Sequence, residues 1–517
     1  MTIKGKRIFN YRSLVFFAVA LIFGILVAEA LYTQSVWWYL ALLIVIIGAN
    51  IAVVAVKKSR KFFYISLAVL VGFISMTATN LQYNSVDIKT YSGTFTAQVS
   101  SEILYENGKA SFYLDNITTA DGALEYSAYA RCSIYAEDID FSTGDFVTMK
   151  GTIKYRTHER FDTFYSSYVS SGVRYNASVS SIEKSSDGKL QFPDNLQVRI
   201  KRILYENTDD YTASISQALV LGDKFGIDGD LYDNIKASGL AHVLAVSGLH
   251  VSTLAAALYF VLKKLKVNPK ISFVAVLVLT FLYSMLCSFT ASSLRAVVMS
   301  GVSMFASSFG RKRDDLSSLS LAAILILIFR PCAIADIGFL LSFASVAGIF
   351  MFARPFERTG NKIVNKLSPK RRIGRKFASV CAISFATNLA SYPFVAYFFG
   401  EVPVLFILSN FLILPYIMAV YVAMLVLTTL SVITGWDGFV WILKYLLLPF
   451  RLYVKAIGTL PFATVNTVMG LVGLITSVIM LILASRYVFL TKVQRGRVLS
   501  LTATAGLVVS IIVASCV

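Results

Sequence analysis

The chain opens with three apolar runs, near Leu14–Leu31, Trp37–Val56 and Phe62–Ala78. Each is close to the roughly 20 residues that carry a helix across about 30 Å of hydrocarbon. Residues from about Asn80 to Leu240 are polar by comparison, and the apolar runs then return near 242–262, 271–289, 292–310, 317–330, 337–353, 377–399, 402–430, 439–455, 465–485 and 498–515. The pattern predicts a polytopic α-helical membrane protein of about 13 spans. The 402–430 run is long enough to be tilted, or broken at Pro415.

Inside the polar stretch the period changes from helical to alternating. Gly93–Val99, Ala110–Leu114, Ala128–Tyr135, Phe146–Tyr155 and Val173–Ser180 read as short strands, with Asn107-Gly108 and Asp121-Gly122 as turn signals. Five short strands suit a small all-β unit such as an OB-like barrel, although periodicity alone leaves another small sandwich open. From Asn195 to Leu240 the pattern is amphipathic: Leu196, Ile200, Ile203 and Leu204 share one face, and Ile215, Leu219 and Val220 another. Interleaved Lys201, Arg202 and Glu206 place these helices at the outer membrane interface. The predicted organisation is N-terminal membrane helices (1–79), an OB-like β-domain (80–190), interfacial helices (191–240) and a polytopic domain (241–517).

Composition agrees: of 517 residues, 56% are hydrophobic and 15% charged, with mean hydropathy +0.68, against about 25% charged in soluble proteins. The net charge of +19 suggests nucleic acid until it is placed along the chain. Residues 80–241 hold 15 Lys+Arg and 22 Asp+Glu, a net of −7, and the remainder is net +26. Positive clusters at Lys4–Arg12, Lys57–Lys61, Lys263–Lys270, Arg311–Arg313, Arg354–Lys376 and Arg486–Arg497 fall where alternating spans put cytoplasmic loops. The expected topology has a cytoplasmic N-terminus and residues 80–240 outside the cytoplasm. Ala28-Glu29-Ala30 after the first run also resembles a signal-peptide cleavage site, which leaves the downstream topology unchanged.

Chemistry is sparse. Three histidines (His158, His242, His250) and five single cysteines, with no CxxC and no GxxxxGK[ST], offer no metal site, disulfide framework or P-loop. No cofactor and no catalytic residue are expected. Lys150, Lys154, Tyr155, Arg156 and Arg160, followed by Phe161, Phe164, Tyr165, Tyr168 and Arg174, pair cations with rings as single-strand-binding proteins do. A hairpin lying on the membrane, or packing its rings inward, fits the same residues.

The segment Gly239–Val251 (GLAHVLAVSGLHV) gathers His242, Ser247 and His250 at the start of a span. On a helix Ser247 and His250 share a side, and His250 lies about 12 Å deeper than His242. A packed interface and a Ser–His hydrolase both fit, but an i,i+3 pair rarely aims a nucleophile at its own base. Asn388 and Asn410 are predicted near the level of His250, and Arg295, Arg330 and Asp336 near outer span ends. The arginines either snorkel to the interface or form a polar outer mouth.

These residues fall in an ordered set of motifs: Ala218–Asp223 (ALVLGD), Gly239–Val251, Ser293–Met299 (SLRAVVM), Asp336–Phe343 (DIGFLLSF), and Tyr392-Pro393 with Phe399-Gly400 and Asn410–Pro415. The chain resembles the ComEC family of competence proteins, bacterial inner-membrane channels for transforming DNA. The resemblance implies a channel for single-stranded DNA rather than an enzyme, with Asp223, His242, Ser247, His250, Arg295, Asp336, Asn388 and Asn410 lining or shaping the path. Asn388 rests more on its depth than on a motif. The implied partners are an external DNA receptor, a cytoplasmic helicase-like ATPase, a single-strand-binding protein and the lipid bilayer. Family members typically carry a metallo-β-lactamase-like nuclease domain, but no HxHxDH occurs here, so a channel without an attached nuclease is expected, using a separate nuclease or none. Some members brace the external domain with a disulfide, which Cys132, alone in that region, does not allow. An intramembrane Ser/His hydrolase and a small-solute transporter on the same scaffold are the alternatives.

Overall fold

Two glycines determine how the first helices meet. Helices α1 (Ser13–Ala30) and α2 (Arg60–Asn84) cross where a Cβ at Gly24 would strike the Val69 carbonyl, and one at Gly72 the Leu21 carbonyl. Without those side chains the backbones touch, which is how small residues drive packing where lipid and protein are equally apolar. The computed structural model describes residues 13–31, 60–84, 90–100, 104–106, 109–119, 125–126, 129–135, 141, 143–155, 173–186 and 193–485, apart from 225, 245, 311–313, 368–371, 461 and 468, with pieces at 2–3, 6–7, 44–45 and 48. The expected spans at 37–56 and 498–515 therefore lie almost wholly outside the described residues.

The polar stretch folds into strands β1 (Thr90–Val99), β2 (Lys109–Thr119), β3 (Tyr129–Tyr135), β4 (Phe146–Tyr155) and β5 (Val173–Ser186). They pair in the order β1-β4-β5-β3-β2, and β2 pairs back to β1, so the sheet closes on itself. All pairs are antiparallel except β3 with β5. Alternate residues fill the ring: Phe95, Ala97 and Val99, then Ala110, Phe112 and Leu114, then Val147, Met149 and Ile153. Glu106 pairs with Lys109, while the turn signal Asn107-Gly108 between them lies outside the described residues.

Next come α3 (Asp194–Asn207), α4 (Asp210–Leu221) and α5 (Gly229–Ala237). The expectation that these helices lie on the membrane surface fails at α4. Every residue from Thr212 to Leu221 is buried. Its sequence is small or apolar on all sides, which suits a helix enclosed by others. Its neighbours come from far along the chain: Ile413, Ile417, Val440, Leu443, Leu447 and Phe450 join Ile215, Leu219 and Val220 in one core.

The helices beyond are α6 (Gly248–Lys264), α7 (Pro269–Leu286), α8 (Ala291–Ser308), α9 (Asp315–Phe329), α10 (Ile337–Gly348), α11 (Arg354–Leu367), α12 (Arg372–Phe399), α13 (Phe406–Leu412), α14 (Leu414–Thr434), α15 (Leu443–Gly458) and α16 (Leu471–Ala484). Asn268, Thr290 and Asp336 cap α7, α8 and α10 through their side chains. Six helical stretches among the described residues are long and apolar enough to cross a membrane: Ser13–Ala30, Phe63–Leu81, Pro269–Leu286, Ile337–Asn365, Gly374–Phe399 and Leu414–Thr434. Two more, Asp315–Phe329 and Leu471–Ala484, are apolar but shorter. The chain is a mostly helical membrane protein with one small sheet domain.

Three predicted spans begin or end elsewhere than the hydropathy placed them. The 242–262 run is a 3-10 turn at Ala241–Val243 and becomes α-helix only at Gly248. The 402–430 run breaks between α13 and α14, with Pro415 in the first turn of α14, where proline's missing N–H costs nothing. The 439–455 run is a 3-10 turn followed by amphipathic α15, whose Leu443, Leu447, Phe450 and Val454 face the core around α4.

Replacing Gly72 with Val forces α1 and α2 apart, and a cost of about 3 kcal/mol or more is expected because the colliding atoms are backbone. Thermal unfolding of the detergent-solubilised protein measures it. Gly229→Ala is the control, since nothing lies within 4 Å of its added methyl.

Candidate functional site

Four of the five motifs meet around the break before α6. Gly222 ends α4 in the left-handed conformation (φ +78°), and a Cβ there would come within 3.0 Å of Val246 Cγ2. Gly239 is likewise left-handed (φ +77°), and its added Cβ would sit 3.1 Å from Phe406 in α13. Ser409 Oγ of α13 lies 2.5 Å from the Ser238 carbonyl and 2.9 Å from Tyr453 Oη. Tyr283 of α7 donates to the Val220 carbonyl at 2.8 Å. The glycines let α4 and α13 approach the loop before α6, and the hydroxyls of Ser409 and Tyr283 bond carbonyls around that junction.

The loop ends in a cap built from its own residues. Ser247 N–H donates to His250 Nδ1 (3.1 Å), and Leu249 N–H donates to Ser247 Oγ (3.2 Å), which lies 2.9 Å from Nδ1. This is a capping box with histidine where glutamate usually reaches back. Ser247 and His250 do touch, contrary to the expectation for an i,i+3 pair, because Ser247 precedes the helix in extended backbone. Nδ1 accepts a backbone proton, so the ring's own proton sits on Nε2, which is buried and has no partner. The ring packs edge-on against Tyr421 of α14, centroids 4.6 Å apart. The 12 Å rise expected between His242 and His250 does not apply, because the intervening residues are not α-helical.

Arg295 reaches this cap from α8. It is only 7% exposed, and its guanidinium lies on Gly248, where any Cβ would collide with Nη2. Nε donates to Ser342 Oγ of α10 (2.9 Å), and Ser342 also bonds Ser292 Oγ (2.7 Å). The Phe343 ring lies 5.9 Å below Cζ, close enough for a cation–π contact. Arg295 therefore neither snorkels nor forms an ion pair among the described residues; it bridges α6, α8 and α10.

The other candidates separate from this cluster. Asp223 is ion-paired with buried Lys201 of α3 at 2.6 Å. His242 is exposed, its Nδ1 3.1 Å from the Gly239 carbonyl. Asp336 caps α10 by accepting from Phe339 N–H. Asn388 donates to Ser384 O within α12. Asn410 is buried with its Oδ1 unpartnered. No hydrogen bond joins His250, Asn388 and Asn410 among the described residues. Arg330 donates to the Phe289 carbonyl (3.1 Å) in a turn where Ser288 and Phe289 both have positive φ.

On the β-domain, Lys150 and Lys154 are exposed on one face of β4. Tyr155 ends that strand, whereas Arg156 and Arg160 lie outside the described residues. No set of three or more His, Cys, Asp or Glu gathers at metal-binding distance among the described residues.

Lys201, Ser342 and Tyr421 are the residues that sequence reasoning missed. Lys201 sits four residues after Gln197 at the edge of an apolar face, and Gln197 itself donates to the Leu286 carbonyl (2.7 Å). A cation on that edge needed a buried partner, and Asp223 is it. Asp223→Asn is therefore expected to destabilise the protein, by about 1–3 kcal/mol because it strands a buried ammonium. The double variant Lys201→Met/Asp223→Leu is expected to recover much of the loss in the same thermal-unfolding measurement.

A family model described as "Competence protein" matches residues 219–494, a segment that holds the cap, Arg295 and Asn410. A curated relative, ComE operon protein 3 of Bacillus subtilis (strain 168), is 27% identical over 246 residues, covering 47% of this chain and 30% of the relative. The match thus spans under a third of that relative's length. No solved structure matches the chain. With over half its length matched, and with the matched motifs packed against one another at a single junction, the chain belongs to the ComEC-type competence protein family.

Proposed function

We propose that the protein is a channel for uptake of transforming single-stranded DNA across the bacterial cytoplasmic membrane. The observation that carries this reading is the polar set Ser247, His250, Arg295, Ser292 and Ser342, with His250 and Arg295 buried and the three serines half-buried, contributed by three helices and the loop before one of them. Polar groups retained among apolar helices mark a path or a site more often than packing. The reading has about 13 spans, a cytoplasmic N-terminus and residues 80–240 outside. The closed five-stranded ring with one parallel pair supports an OB-like external domain. That region is net negative, so DNA contact there must be local, and Lys150 and Lys154, with Tyr155, Arg156 and Arg160, are its candidates. Lacking a P-loop, the channel works with a helicase-like ATPase and a single-strand-binding protein inside, a DNA receptor outside, and a separate nuclease where one strand is degraded.

Arg295→Ala, which removes a charged hydrogen bond, and His250→Ala, which opens the cap of α6, are each expected to cut DNA uptake at least about tenfold at unchanged membrane abundance. Transformation frequency and internalised labelled DNA measure it; full uptake in both variants removes these residues from the path.

The Ser247–His250 contact favours a second reading, an intramembrane hydrolase. Against it, Ser247 Oγ is held by the Leu249 N–H and, among the described residues, no carboxylate orients the ring. A fluorophosphonate probe that labels the wild type but not Ser247→Ala supports the hydrolase, and an unlabelled wild type removes it.

A further inference from the structure

The first turn of α6 and the Arg295 guanidinium present two positive groups to each other. A helix N-terminus carries about half an elementary charge, and here it is the buried Gly248 that contacts Nη2. Like charges taken out of water repel, and the guanidinium also loses its hydration. Proteins offset such a cost with a carboxylate, but none pairs with Arg295 among the described residues. Its polar contacts are Ser342 Oγ and, weakly, Met299 Sδ at 3.8 Å. Two residues past that contact the turn contains a second donor without an acceptor, His250 Nε2, on a side chain that is 0% exposed. A buried charge and a helix terminus thus meet, two residues from an idle donor, where no carboxylate pairs with the charge among the described residues.

We propose that Arg295 and the first turn of α6 form an oxyanion site for a phosphodiester, with the guanidinium taking two phosphate oxygens side by side. Arginine's planar fork fits that geometry and lysine's point charge does not. The positive end of the α6 dipole favours an anion at the same place, and because Ser247 already caps the first-turn N–H groups, the guanidinium is the hydrogen-bond donor. Gly248 is required because a Cβ would occupy the place of the guanidinium. The site stands on this geometry; only the assignment of its phosphodiester to a DNA strand rests on the channel reading.

The test uses the full chain purified in maltoside detergent, which carries no phosphate, and follows the unfolding midpoint as inorganic phosphate is titrated against chloride of equal ionic strength. Phosphate is expected to raise the wild-type midpoint saturably. In Arg295→Gln and Gly248→Ala the apparent affinity is expected to fall about tenfold or more, with Arg295→Lys intermediate. Without phosphate, Arg295→Gln is expected to unfold no earlier than the wild type, because it removes an uncompensated charge. A wild type indifferent to phosphate overturns the site, even if DNA uptake depends on Arg295, and so does an equal response in Arg295→Gln. Competition arms then identify the source of the phosphodiester. Displacement of phosphate by oligothymidylate supports a nucleic-acid backbone. Displacement by short-chain phosphatidylglycerol alone keeps the site but overturns its assignment to DNA.

Discussion

A helix that begins among apolar neighbours exposes N–H groups that no water can take, so the chain itself must provide their acceptors. In this protein that constraint falls hardest at residue 248. The hydropathy runs straight through 242–262, but the helix starts six residues late, and the Ser247–His250 cap is what makes the late start tolerable. The glycines at 222 and 239 then let α4 and α13 close over the irregular loop. The Lys201–Asp223 pair and the Tyr283–Val220 bond fix the neighbours in turn. Much of the domain is arranged so that one stretch of non-helical backbone can be held among helices.

What the sequence disclosed follows the range of the forces involved. Strand positions in the β-domain were readable because alternation is local and the ring buries one face of every strand. The burial of α4 was not readable from the charges around it, because Lys201 and Glu206 belong to α3, and what covers α4 lies about 200 residues away at Ile413–Phe450. A composition small and apolar on every side was the one available signal.

The candidate residues divide in the same way. Ser247 and His250 were found as a pair, but their role as a cap depends on extended backbone at 247, which no periodicity reports. Arg295 was assigned to a span end, whereas its partners Gly248 and Ser342 are about 47 residues away on either side. Asp223 carried a motif, and the structure gives it an ion pair on α3 rather than a place beside Arg295.

The closed ring of the β-domain has a consequence for recognition. Each of its five main strands has a neighbour on both sides, β2 returning to β1 to complete the circuit. Among the described residues, open edges are confined to the short strands Leu104–Glu106 and Glu125–Tyr126, which pair on one side only. A partner that docks on the ring itself must be read through side chains and loops, and strand addition has only those short edges to use.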